Sequence, residues 1–137
     1  AWKAGRGRQL SVFVENVPGI LSRLATLLGA QKVNIHALTL TGGIDHGYVR
    51  LVVDRHDQAR DVLRSEGYLF FERDVVLLEL PNRPGSLGEV TARWTEGGVN
   101  LEYAYCAGGP AVAEGLVVLK VDDTDRALSL LEASGSD

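Results

Sequence analysis

The chain has 137 residues, with 14 Lys and Arg against 18 Asp and Glu and a formal net charge of −4. That balance argues against a nucleic-acid duplex as partner, because such a surface needs clustered cations to displace counterions. Cys106 is the single cysteine, so no internal disulfide and no multi-cysteine metal cluster can form, and no apolar run approaches the ~18 residues of a membrane span.

Lys3, Arg6 and Arg8 charge the N-terminus, but no apolar run follows them, so the segment does not read as a secretory signal. Ala1 stands where an initiator Met would, which reads as a processed start or as added sequence. Cytoplasm is the expected compartment. Residues 1–8 are expected to be an N-terminal extension.

Gln9–Glu15 alternates Leu10, Val12 and Val14 with polar neighbours, the pattern of a strand with one buried face. Pro18-Gly19 breaks it. Ile20, Leu21, Leu24, Leu27 and Leu28 then form one stripe of an amphipathic helix, with Gly29 as its expected stop. Val33–Leu40 and Tyr48–Val53 read as a hairpin around the turn residues Thr41–Gly47. A helix over Asp57–Glu66 and a strand over Tyr68–Arg73 complete a first unit, 9–73.

A second unit, 74–137, repeats this plan. Val75–Leu80 is a strand, Gly85–Glu96 a helix with Leu87, Val90 and Trp94 inward, Val99–Cys106 and Ala113–Val121 a hairpin, and Thr124–Ser134 a helix. Asn16-Val17-Pro18-Gly19-Ile20-Leu21 returns as Asn82-Arg83-Pro84-Gly85-Ser86-Leu87, and Val33-Asn34-Ile35 returns as Val99-Asn100-Leu101. Both pairs keep one offset, 84 − 18 = 66 and 99 − 33 = 66. The offset becomes 68 at Asp57/Asp125, which places a two-residue insertion near Ala107–Pro110 in the second hairpin.

The order strand, helix, strand, strand, helix, strand is the split βαβ or ferredoxin-like plan, an antiparallel sheet with both helices on one face. The fold expected is therefore α+β, two ferredoxin-like βαββαβ units packed together, because units this small need shared burial. Tyr68–Arg73 runs into Val75–Leu80 with no linker, which is expected to hold the units rigidly. Nothing after Thr124–Ser134 matches Tyr68–Arg73, so the second unit lacks an evident fourth strand. Trp2–Arg8 could supply it, or a partner chain could cover the edge, which would favour oligomers.

The Asn-x-Pro-Gly loop can carry binding chemistry. Pro starts a turn without needing an amide donor, and Gly allows close backbone approach. The helix that follows leaves first-turn amides free at the positive end of its dipole, where a carboxylate fits. The plainer reading is a strand-to-helix turn with Asn as a local cap.

Taken together, Pro18-Gly19-Ile20-Leu21 with Val33-Asn34-Ile35, and Asn82–Leu87 with Val99-Asn100-Leu101, resemble the ACT domain, a regulatory module of amino-acid metabolism. The resemblance covers about residues 9–134 and leaves no room for a catalytic domain. It implies a non-enzymatic sensor that binds an amino acid between a loop of one ACT unit and the second strand of another. The residues it implies are Asn16, Pro18, Gly19, Ile20 and Leu21 with Asn100 and Leu101, and reciprocally Asn82, Pro84, Gly85, Ser86 and Leu87 with Asn34 and Ile35. A homo-oligomer, a dimer, is expected from the unmatched sheet edge, with a metabolic enzyme as a further expected partner. The alternative is a ligand-free interaction subunit acting on a metabolic enzyme or a transcriptional partner. A small enzyme resembling acylphosphatase is disfavoured, because Arg23 and Asn16 are joined by no matching motif.

No cofactor and no metal are expected. His36, just after Val33-Asn34-Ile35, reads as a solvated or interface histidine rather than a ligand contact. His46 and His56 lie in loops and are too dispersed for a metal site, and Asp122, Asp123 and Asp125 read as helix capping rather than a calcium loop. Tyr103 and Tyr105 alternate on a strand without the cations of an RNA-binding sheet. Cys106 is expected to be a small buried hydrophobe.

Overall fold

The computed structural model describes residues Lys3–Gly135. Ala1 and Trp2, and with them the start of the expected extension, lie outside the described residues, as do Ser136 and Asp137. Ten elements follow in chain order: β1 (Lys3–Glu15), α1 (Ile20–Ala30), β2 (Ile35–Gly42), β3 (His46–Val53), α2 (His56–Ser65), β4 (Phe70–Pro81), α3 (Ser86–Glu96), β5 (Leu101–Ala107), β6 (Glu114–Val121) and α4 (Thr124–Gly135). They divide into two compact units, 8–73 and 1–7 with 74–137.

In the unit 8–73 the strand order is β2-β3-β1-β4. β1 pairs antiparallel with β3, from Leu10 opposite Leu51 to Glu15 opposite His46, and β2 pairs with β3. The apolar alternation marks the core face of β1, while Gln9 and Ser11 on the other face are buried as well. Leu10, Val12 and Val14 join Val49, Leu51 and Val53 under Leu24 and Leu28 of α1 and Ala59 and Leu63 of α2. Period-two strand faces and 3.6-period helix stripes close one core.

In the other unit the order is β1-β4-β6-β5, with only the first residues of β1 taking part. β4 pairs with β6 from Val76 opposite Leu119 to Pro81 opposite Glu114. The core is Val76, Leu78 and Leu80 with Val117, Leu119 and Val121, covered by Val90 and Trp94 of α3 and Ala127 and Leu131 of α4. Trp94 occupies the place of Leu28 and gives its extra polar atom a partner, Nε1 donating to the Ala127 carbonyl oxygen at 3.0 Å.

The strand missing from this unit's own sequence is supplied by Lys3–Gly7. Lys3 Nζ donates to Glu114 Oε1 at 2.8 Å, a bond that lifts the Lys3 ammonium above its ordinary pKa. Arg6 pairs with Asp74 at 2.6 Å and also with Asp125. Gly7 lies so close to Leu77 that an added Cβ would come within 2.5 Å of it. The argument for oligomers from an open edge at this position therefore falls away.

α1 runs one residue past its expected stop, and its turn out is made instead by Lys32, at φ 60°. The amide of Val33 reaches back to the Leu28 carbonyl at 3.0 Å. Gly98 holds the equivalent place at φ 76°, with Val99 N bonding Trp94 O at 2.9 Å. Both ends are Schellman-type caps.

Candidate functional site

Each unit opens a cleft where its Asn-x-Pro-Gly loop meets the tip of its own hairpin. In the unit 8–73 the cleft is ≈ 190 Å³ and is lined by Val14, Asn16, Ile20, Leu40, Gly43 and His46 among others. In the second unit it is ≈ 360 Å³, and its lining includes Asn82, Arg83, Ser86, Leu87, Cys106 and Pro110.

The loops are built alike. Gly19 and Gly85 precede their helices at φ 85° and 87°, a left-handed conformation that a side chain would strain. Arg23 N bonds Gly19 O at 2.9 Å, and Glu89 N bonds Gly85 O at 3.0 Å. The amides of Leu21 and Ser22, and of Leu87 and Gly88, precede the first helical acceptor and point outward at the positive end of the dipole.

The two asparagines tie each loop to its hairpin. Asn16 Nδ2 donates to the carbonyls of Gly43 at 3.1 Å and Ile44 at 3.0 Å. Asn82 Nδ2 donates to Pro110 at 3.3 Å and Val112 at 3.0 Å. This is the local bonding of the plainer reading, and it engages the side-chain amide of each asparagine.

Asn34, Ile35, Asn100 and Leu101 are not brought to these clefts within their own units. Asn34 and Asn100 stand at the far end of β2 and β5 from the hairpin tip, roughly 25 Å away at the rise of an extended strand. Their backbones are fixed identically. Asn34 N donates to Asp54 Oδ1 at 2.9 Å and Asn100 N to Asp122 Oδ1 at 3.0 Å. Immediately beyond, the register slips by one at His36 and at Glu102, so each of these equivalent residues is the extra member of a β-bulge.

The clefts are also lined by residues that the sequence reading did not assign to a binding site. They come from the hairpin tips, with Leu40 to Gly43, His46 and Gly47 in one unit and Cys106 to Pro110 and Val112 in the other. The available signal was the paired glycines Gly42-Gly43 and Gly108-Gly109 at the repeat offset. Cys106 is exposed in the cleft wall, which corrects the expectation of a buried hydrophobe, because β5 is an edge strand. A wider groove, ≈ 570 Å³, shares Ile20 and His46 with the first cleft and extends to Arg23, Glu66 and Leu69.

Other candidates resolve into structural roles. Asp123 Oδ1 accepts the Arg126 amide at 3.1 Å at the start of α4, a capping bond. His46 stacks on Phe13 with centroids 5.0 Å apart. His56 Nε2 lies 2.6 Å from Glu72 Oε1 and Arg8 reaches the same oxygen at 2.7 Å. The His56 hydrogen bond and the Arg8 charge hold the Glu72 carboxyl below its ordinary pKa, against the opposing effect of burial. Among the described residues no group of three or more His, Cys, Asp or Glu could hold a metal ion, and no helix is long and apolar enough to cross a membrane.

The doubled βαββα plan, with a loop-and-helix cleft in each copy, defines a tandem of ferredoxin-like domains. The model of the ACT domain pair family matches residues 7–133, and the chain belongs to that family. Among solved structures, protein BT0572 from Bacteroides thetaiotaomicron is 29% identical, with a TM-score of 0.89 over 96% of this chain and 90% of that one. The ligand-free regulatory subunit of aspartate kinase from Thermus thermophilus shares the fold at 14% identity, TM-score 0.70, over 97% and 96%. That from Thermus flavus does so at 12% identity, TM-score 0.65, over 96% and 95%. No curated protein matches the chain.

Proposed function

We propose that the chain is a non-catalytic regulatory protein that binds a small amino acid, or a closely related metabolite, at its Asn-x-Pro-Gly loops. The observation that carries this reading is the repeated cleft. Each unit sets free helix amides beside an open cavity, and an amino acid's carboxylate is the small anion that such amides accept. Membership of the ACT domain pair family and the fold shared with regulatory subunits of aspartate kinase support a regulatory output.

Asn34, Ile35, Asn100 and Leu101 lie far from the cleft of their own unit. Their proposed contacts to the ligand's amino group and side chain therefore require a facing ACT unit, which a dimer of this chain would supply. Regulation would follow from a difference in affinity between two states of that assembly, or of an enzyme bound to it.

A thermal-unfolding screen against the twenty L-amino acids tests the reading. A compound at about 100 times its dissociation constant adds roughly 2.7 kcal/mol, several degrees in a chain of this size. A shift with one or a few of them is the expected result. If none shifts the midpoint at millimolar concentration, the ligand-free interaction subunit takes the place of this reading.

A further inference from the structure

The two clefts occupy equivalent positions and carry different chemistry. Ser86 begins α3, lines the larger cleft and is only 5% exposed. Its hydroxyl is buried and has no hydrogen-bond partner among the described residues. A hydroxyl left so is costly unless something arrives to bond it. It stands beside the first-turn amides of Leu87 and Gly88, which also lack helical acceptors. Arg83 is turned toward Glu89, with nitrogen–oxygen distances of 3.2 and 3.3 Å, so its charge is already answered.

At the same places in the unit 8–73 the chain has Ile20 for Ser86, Val17 for Arg83 and Leu40 for Cys106. The helix begins there too, but Ile20 brings no hydroxyl to its first turn. The Thr41 hydroxyl in the cleft wall already accepts from Arg50 at 3.1 Å, and Glu15 lines the same cleft, where its carboxylate would repel another. The groove next to Ile20 does contain Arg23, but Glu15 and Glu66 line it too and would repel a carboxylate.

We infer that the clefts are functionally unequal: the Ser86 cleft alone holds a carboxylate-bearing amino acid, with the Ser86 hydroxyl donating to a carboxylate oxygen, and the Ile20 cleft does not. This rests on the amino-acid reading above and adds to it a stoichiometry of one per chain. The two copies share one architecture, and only one of the two sites carries the hydroxyl donor.

Calorimetry on the full chain tests this, with whichever of the twenty L-amino acids shifts the unfolding midpoint as the probe, on the unaltered protein and on Ser86→Ala. The expected result is one molecule per chain, and binding weakened about tenfold or more by Ser86→Ala. The midpoint of the ligand-free variant should be unchanged or raised, because an unpartnered buried hydroxyl has been removed. That sign separates a binding role from a structural one. Two molecules per chain, or undiminished affinity in Ser86→Ala, would overturn the inference and leave the sensor reading standing. Absence of binding by all twenty would overturn both.

Discussion

Asn82 Nδ2 donates to the Val112 carbonyl oxygen at 3.0 Å and so fastens the loop before α3 to the hairpin tip across the cleft. Asn16 does the same to Ile44 at 3.0 Å. The side chain acts here as a donor to two carbonyls. Asn82→Ala is therefore expected to cost about 1 kcal/mol in urea unfolding. Asn82→Asp should cost more, since a carboxylate would face two carbonyl oxygens. Equal losses in the two variants would show that the donor character does not matter.

Lys32 adopts φ 60° where its counterpart Gly98 adopts 76°. A left-handed Lys costs about 1–2 kcal/mol, and the freedom glycine loses on folding takes back about 0.5–1. Lys32→Gly is expected to be neutral to about 1 kcal/mol stabilising, and Gly98→Ala destabilising by about 1 kcal/mol. Both are read from denaturation midpoints, and a loss of stability in Lys32→Gly would contradict the cap assigned to it.

Glu72, held by His56 and Arg8, has its pKa lowered on folding. Its contribution is therefore complete above the ordinary carboxylate pKa of ~4.3 and is lost as pH falls through the lowered value. Glu72→Gln should lower stability at pH 7 by about 1 kcal/mol or less, given the exposure of the cluster. The gap to the unaltered chain should close on acidification below ~pH 4. A gap that stays constant from neutral to acid pH would mean that the carboxylate charge is not what stabilises.

Gly7 faces Leu77, and a built Cβ would lie 2.5 Å from both its Cγ and Cδ1. Gly7→Val should cost about 1–3 kcal/mol by forcing Leu77 aside. The loss should fall on the unit containing 74–137, detected as faster hydrogen exchange in β4 and β6 than in β2 and β3. Uniform exchange across both units would refute the assignment of this strand.

The repeat, the helix stripes and the hairpins were legible because burial follows the periods of two and 3.6 that Leu10–Val14, Leu24–Leu28 and Val90–Trp94 display. The two-residue slip was legible too: β1 puts Glu15 opposite His46, and β4 puts Pro81 opposite Glu114, 66 and 68 residues on. Lys3–Gly7 was harder to read. Its residues are Lys, Ala, Gly, Arg and Gly, and it is held by ion pairs and ladder bonds, so no apolar alternation marks it as a strand. The cleft was half legible. The loop motif is local in sequence, whereas the hairpin wall across from it is set by pairing register, and the lone hydroxyl of Ser86 becomes notable only once its burial is known.

The strand at Lys3–Gly7 also gives the two units different folding problems. The unit 8–73 is one uninterrupted stretch and can form with its own residues alone. The other must recapture a segment 111 residues away, the separation of Lys3 from Glu114. Closing so long a loop comes late and slowly. The contiguous copy is therefore expected to form first, while the interrupted copy waits for distant parts of the sequence to meet.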